Sequence, residues 1–231
     1  MFSKKKLGGN IKSSYLALIQ KEANPSTFNK FHPISLCNSS YKIITKIIAN
    51  RVKEVFPIII SENQGGFVPN RKIIDNVIIV QKAVHSNMLR QEKGLIIKLD
   101  MANAFNKVSQ SYLMVVLQKL GFSREIVEDI HASISTPWIA PLINGRTSDF
   151  FQSTRGPRQG CPLSPFLNII MAETLSSALK NQRKERNITG IKIAKGVKTI
   201  THSLFADETV LLGGASTIIA RRLKKILDDF L

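Results

Sequence analysis

The stretch His202-Ser203-Leu204-Phe205-Ala206-Asp207-Glu208-Thr209-Val210-Leu211-Leu212 decides how this chain is read. Apolar residues flank two adjacent carboxylates, a pattern that predicts a tight hairpin with acid at its tip. Carboxylate oxygens are hard ligands suited to a divalent cation. In a strongly basic chain, such a tip points to metal chemistry on a polyanion, and the missing ligands can be sought elsewhere in the sequence.

The basic character is marked. Lys and Arg number 33 against 16 Asp and Glu, giving a net charge of +17 over 231 residues. An excess of this size implies nucleic acid or an anionic membrane surface as partner. The charge is dispersed rather than gathered into a tail, which favours a folded basic surface over a disordered arm. Hydrophobic residues make up 43% of the chain, enough for a sizeable core in one large domain or two small ones. No apolar run approaches the roughly 20 residues of a membrane span, so no membrane association is expected. The N-terminal residues, including Lys4-Lys5-Lys6, lack the apolar segment of a secretory signal. Cys37 and Cys161 stand far apart, with no CxxC or Cys/His cluster. Structural zinc is therefore not expected, and neither is a disulfide partner. An intracellular setting fits, in nucleus or cytoplasm.

Around the hairpin, the pattern alternates between helix and strand. Residues 15–19 read as a strand, followed by a polar loop. Tyr41, Ile44, Ile48, Val52 and Val55 recur at helical spacing, with Pro57 expected to stop the helix. A glycine-containing loop around Gln64-Gly65-Gly66-Phe67 precedes a helix over 73–91. Residues 95–100 read as a short buried strand, residues 103–120 and 123–135 as helices. Strands at 138–143 and 149–153 flank the turn dipeptide Asn144-Gly145. A long helix is expected over 163–184, short strands around Ile191 and Leu204, and a last helix from about Ala215 onward. The class is α+β with an antiparallel sheet.

Asp100, at the end of the strand Leu95-Ile96-Ile97-Lys98-Leu99-Asp100, is the first candidate partner for Asp207. Carboxylates on adjacent strands can hold two divalent ions, which clamp the attacking and leaving oxygens of an in-line phosphoryl displacement. Taken alone, an Asp in that position more often caps a helix or closes a turn.

Five blocks in order extend this reading. They are His32-Pro33-Ile34-Ser35-Leu36-Cys37-Asn38 with Tyr41-Lys42-Ile43; Gln64-Gly65-Gly66-Phe67-Val68-Pro69 with Arg71 and Asp75-Asn76; Lys98-Leu99-Asp100-Met101-Ala102-Asn103-Ala104-Phe105; Arg155-Gly156-Pro157-Arg158-Gln159-Gly160-Cys161-Pro162-Leu163-Ser164-Pro165; and Phe205-Ala206-Asp207-Glu208. Together they resemble the reverse transcriptase of non-LTR (LINE-type) retrotransposons, of the plant sort. The resemblance covers nearly the whole chain, and its strength lies in the register of all five blocks.

The resemblance implies a right-hand polymerase fold reduced to fingers (residues 1–94) and palm (residues 95–231), with the thumb missing. It implies an RNA-directed DNA polymerase that joins dNTPs to a DNA primer on an RNA template, using two Mg²⁺ ions with Mn²⁺ as substitute. Asp100 and Asp207 become metal ligands together with the Met101 carbonyl, and Glu208 joins the two acids as a catalytic residue. Lys21, Met101, Phe105, Gln159 and Gly160 fall on nucleotide-binding positions, with the Phe105 ring excluding a ribose 2′-OH. Arg71, Arg155 and Arg158 fall on nucleic-acid-binding positions. Some residues depart from the family pattern: Glu208 for a second Asp, His32 for an arginine, Asn106 for an Asp, Pro157 for an aliphatic residue and Gln20 for a proline. A misplacement of about 1 Å costs on the order of 100-fold in rate, so the extra methylene of Glu208 implies weakened activity. The alternative is a catalytically inactive, basic nucleic-acid-binding remnant of such an element.

Overall fold

A computed structural model describes residues 9–101, 109–135, 137–153, 155–194, 196–197 and 199–230. Two compact units emerge, each assembled from two chain segments. One comprises residues 1–52 and 106–167, the other residues 53–105 and 168–231.

The first unit holds a mixed sheet. Strand β1 (Ser14–Gln20) pairs antiparallel with β2 (Phe31–Cys37), from Ser14 opposite Cys37 to Gln20 opposite Phe31. On its other side β1 runs parallel to β4 (Trp138–Ile143). The sheet is therefore not wholly antiparallel, because β4 enters beside β1 only after a long crossover through helices. Strand β2 was not expected from the sequence, since Pro33 lies inside it. It is a terminal strand in the order β2-β1-β4-β5, where a residue without an N–H is tolerated. After β4 the chain turns through Asn144 and Gly145, with φ of 51° and 75°, into β5 (Arg146–Thr147). Positive φ at both positions gives the hairpin twist for which this dipeptide is suited. The return is shorter than expected, and only β6 (Phe151–Gln152) resumes pairing with β4.

Helix α1 (Ser39–Ile59) follows β2 and runs past Pro57. That proline lies in the last turn, where it removes one hydrogen bond without ending the helix, and Ile60 N–H still bonds the Phe56 carbonyl at 2.9 Å. The first unit takes α1 as far as Val52 and contains α3 (Gln110–Lys119) and α4 (Arg124–Ile134). The sequence predicts helix from 103, but Ser109 is extended, and residues 102–108 lie outside those described. Tyr41 and Ile130 are buried here, and the Tyr41 hydroxyl donates to the Ser133 carbonyl at 3.0 Å.

The second unit is built on an antiparallel sheet in the order β3-β8-β7, from β3 (Gly94–Asp100), β8 (Glu208–Gly214) and β7 (His202–Phe205). Its helices are α2 (Ile73–Leu89), most of α5 (Ser164–Lys184) and α6 (Thr217–Phe230). Ile169, Ile170, Leu175 and Leu179 on α5, with Leu204 and Leu211 from the sheet, are among its buried core residues. Ile191 forms an isolated bridge with Ile200 rather than a strand. Among the described residues, no helix is long and apolar enough to cross a membrane.

Candidate active site

The acid hairpin forms as its sequence pattern predicts. Strands β7 and β8 are joined by Ala206 and Asp207 alone, with Phe205 opposite Glu208. On the other side, β8 pairs with β3 so that Asp100 stands opposite Glu208, and Met101 N–H donates to the Asp207 carbonyl at 2.8 Å. Asp100, Met101, Asp207 and Glu208 are thus gathered at one end of one sheet, although Asp100 and Asp207 are far apart in sequence. Asp100 and Glu208 are exposed, Asp207 is half-buried and Met101 is buried. Directly opposed residues share a sheet face, as do residues two apart on one strand. Lys98 lies on the Asp100 face for this reason, and its Nζ reaches the Glu208 carboxylate at 3.1 Å. Both side chains are more than half exposed, so the pair contributes about 0–1 kcal/mol and acts mainly to orient Glu208.

The turn is held by a loop that the sequence identifies only as glycine-containing. Ala206 has φ of 55°, a left-handed conformation that a non-glycine residue keeps only when its surroundings fix it. Gln64, buried to 1% exposure, accepts at Oε1 from the Ala206 N–H at 3.0 Å and from the Gly66 N–H at 2.9 Å. Gly65 N–H donates to the Leu204 carbonyl at 2.9 Å, and Leu204 N–H to the Asn63 carbonyl at 2.8 Å. A Cβ at Gly66 would lie 2.5 Å from the Ala206 nitrogen, so only glycine permits this approach. Asn76 on α2 adds bonds from Nδ2 to the Leu204 carbonyl at 2.7 Å and to Ser203 Oγ at 2.9 Å.

Arg71 secures the same loop from within. Its guanidinium donates to the carbonyls of Ile60, Ser61 and Gln64. These bonds direct it to the chain's own backbone and lend no support to a nucleic-acid contact. Ser61 N–H donates to Glu173 at 3.0 Å, and Ser61 Oγ lies 2.9 Å from Ser176 Oγ. Ser176 Oγ lies 2.8 Å from His202 Nε2, whose Nδ1 is 2.9 Å from Thr201 Oγ1. Burial raises the Glu173 pKa, with the Ser61 bonds and the charges of Lys180 and Arg71 offsetting part of the rise. Burial, then the nearby positive charges of Lys180 and Arg183, lowers His202 to about 3. The histidine is therefore neutral throughout the physiological range.

Lys21, Arg155, Arg158, Gln159 and Gly160 belong to the first unit. Lys21 follows β1, is exposed and donates from Nζ to the Asn29 carbonyl at 3.2 Å. The Gln159 carbonyl accepts from Ser35 N–H at 2.8 Å, anchoring its loop to β2. Gly160 has φ of 96°, and a Cβ there would come within 2.8 Å of the Ser35 carbonyl oxygen. Both the conformation and the close approach require glycine. Arg155 is exposed, whereas Arg158 is 6% exposed with its guanidinium 4.5 Å over the Tyr41 ring. The same guanidinium stands by the Cys37 thiol, whose pKa burial raises and the Arg158 charge partly brings back down. A cation stacked on an aromatic face inside the protein serves packing. Phe105 and Asn106 lie outside the described residues.

Among the described residues, no group of three or more His, Cys, Asp or Glu side chains forms a ready metal cage. The sheet end carries the carboxylates of Asp100, Asp207 and Glu208 beside backbone carbonyls, all oxygen. This set suits Mg²⁺, which keeps several waters and completes its shell with substrate phosphates rather than with an all-protein cage.

The family description "Reverse transcriptase (RNA-dependent DNA polymerase)" matches residues 19–231. The chain is 28% identical over 211 residues to the Transposon TX1 uncharacterized 149 kDa protein of Xenopus laevis, covering 91% of this chain and 16% of that protein. It is 25% identical over 218 residues to a retrovirus-related Pol polyprotein from the type-1 retrotransposable element R2 of Popillia japonica, covering 92% of this chain and 29% of the relative. It therefore spans under a third of either relative's length. The telomerase of Candida albicans, solved with a fragment of telomeric RNA, superposes with a TM-score of 0.60 at 14% identity, over 97% of this chain and 40% of the telomerase. That likeness establishes the right-hand polymerase fold. By sequence, this chain belongs to the reverse transcriptase family, among the proteins of non-LTR retrotransposons.

Proposed function

We propose that this chain is an RNA-directed DNA polymerase domain that extends a DNA primer on an RNA template. The observation that carries the proposal is the convergence of Asp100, Asp207 and the Met101 backbone at one end of the β3-β8-β7 sheet. The proposed metal ligands are Asp100, Asp207 and the Met101 carbonyl, holding two Mg²⁺ ions. When bound, the ions would neutralise the developing charge on the transferred phosphoryl group and activate the primer hydroxyl. The chain's own part is positioning. The buried Gln64 side chain fixes the turn carrying Asp207, and Met101 N–H ties that turn to the end of β3. Lys98 holds Glu208, so this third acid tunes the charge of the site from beside the aspartates.

For the incoming dNTP, Lys21, Gln159 and Gly160 are the proposed contacts, with Phe105 excluding a ribose 2′-OH. Exposed Arg155 is the proposed grip on nucleic-acid phosphate. Arg71 and Arg158, which stand at nucleic-acid positions by resemblance, act here by holding, respectively, the loop that clamps the acid turn and the loop that carries Arg155, Gln159 and Gly160. Residues 1–94 would act as fingers and residues 95–231 as palm. The setting would be intracellular, in nucleus or cytoplasm, wherever the RNA and primer meet.

The test is extension of a labelled DNA primer on an RNA template, with dNTPs and a Mg²⁺ titration. The expected result is incorporation that stops on chelation and returns with added Mg²⁺ or Mn²⁺. Salt-sensitive RNA binding with no incorporation at any metal concentration would instead establish the non-catalytic remnant.

A further inference from the structure

We infer that the N-terminus of α1 forms a phosphate pocket which, with an aromatic shelf at its mouth, seats one nucleotide of single-stranded RNA. The inference rests on the polymerase reading for the nature of its occupant. The pocket is a cavity of about 340 Å³ within the first unit, lined by Ser14, Tyr15, Cys37, Asn38, Ser39 and Phe150 among others.

Three observations point to an anion with an attached ring. First, α1 is 21 residues long and has no acid in its first turn. A helix start presents four N–H groups without intrahelical partners and the positive end of the macrodipole. Asn38 Oδ1 accepts from one of them, the Ser40 N–H, at 2.9 Å. A helix start of this kind, with no carboxylate in its first turn, is a ready anion site. Second, Ser14 on β1 is 3% exposed and lines the cavity, yet among the described residues its hydroxyl has no hydrogen-bond partner. A buried hydroxyl without a partner is destabilising, and an acceptor in the cavity would remove that cost. Third, Tyr15 and Phe150 flank the cavity, with ring centroids 6.0 Å apart, and each is 45% exposed. Exposed aromatics beside an anion pocket are the two halves of a single-strand site, where a base stacks while its phosphate is held.

The site differs in kind from an arginine clamp. Its charge is the partial positive charge of a helix end, so it would hold the strand without locking it and permit stepwise movement. Double-stranded nucleic acid would not expose a base face to the shelf.

The test is fluorescence anisotropy of a labelled, unstructured single-stranded RNA with the 231-residue chain, without dNTPs or metal. Ser39→Asp places a carboxylate at the helix start, which favours the helix but repels phosphate. Its expected outcome is at least fivefold weaker binding, a log–log salt slope lower by about 0.7, and a Tm no lower than that of the unchanged chain. Tyr15→Ala with Phe150→Ala should weaken binding by about fivefold to a hundredfold with the salt slope kept, and Tyr15→Phe should retain affinity. Unchanged affinity and slope in Ser39→Asp would overturn the inference, as would losses confined to single-stranded DNA. Because the assay contains no substrate, lost binding in Ser39→Asp supports the pocket even in a chain that extends no primer. Extension that persists with undisturbed binding removes the pocket and leaves the polymerase reading intact.

Discussion

Glu208 shows how one methylene redirects a charge. It stands opposite Asp100, where a shorter acid would keep its carboxylate near the strand, but its longer arm reaches Lys98 at 3.1 Å. Glu208→Asp would release that contact and return the carboxylate toward the two aspartates. The expected outcome is a single-turnover extension rate raised several-fold, up to about 100-fold, with Tm nearly unchanged. A rate at or below that of the unchanged chain would show that the Lys98 contact is not limiting. At this scale the acids were legible in sequence, because an apolar-acid-apolar pattern announces a hairpin tip. The burial of Arg158 against Tyr41 was not, because a basic residue in a polar loop reads as exposed until its neighbours are known.

At the scale of elements, the second unit is organised so that a loop rather than a strand completes the site. Residues 63–66 clamp the turn through the Gln64 side chain and two backbone bonds. Gln64→Ala would leave the Ala206 N–H without its acceptor, at a cost of about 1–3 kcal/mol, and would loosen the turn that aims Asp207. The expected outcome is a lower denaturation midpoint together with a fall in kcat larger than any change in KM, measured by urea unfolding and steady-state extension. Gly66→Ala should be worse than Gln64→Ala in both assays, since its Cβ meets backbone at 2.5 Å. The helices and the acid hairpin followed from periodicity, and the Asn144-Gly145 turn from its residues. Strand β2 was hidden by Pro33, whose tolerance depends on lying at a sheet edge, a fact about topology rather than sequence. The clamp was hidden for a similar reason, since Gln64-Gly65-Gly66 announces a loop but not what the loop grips.

For the whole molecule, the buried polar network running from Ser61 to Thr201 links global stability to pH through His202. Its folded-state value is depressed from 6.5 to about 3, so the unfolded chain takes up a proton that the native chain refuses. The stability contributed by neutral His202 is therefore full above about pH 6.5 and is lost as pH falls toward 3. Glu173 acts in the opposite sense above its ordinary value of 4.5, because its raised pKa favours the native chain's proton. Comparison with His202→Gln isolates the histidine. Between about pH 6 and 4 the unchanged chain should lose about 1.4 kcal/mol per pH unit relative to the variant, by urea unfolding. Parallel stability curves would contradict a buried, neutral histidine. Metal-dependent chemistry belongs to the sheet end where β3 meets the acid hairpin, and primer extension on an RNA template reads it. Asp100→Asn and Asp207→Asn should each lower Mg²⁺-dependent incorporation by on the order of 100-fold or more while leaving Tm and RNA binding unchanged. Incorporation by either variant at the rate of the unchanged chain would contradict the assignment of these two aspartates as the metal-holding pair.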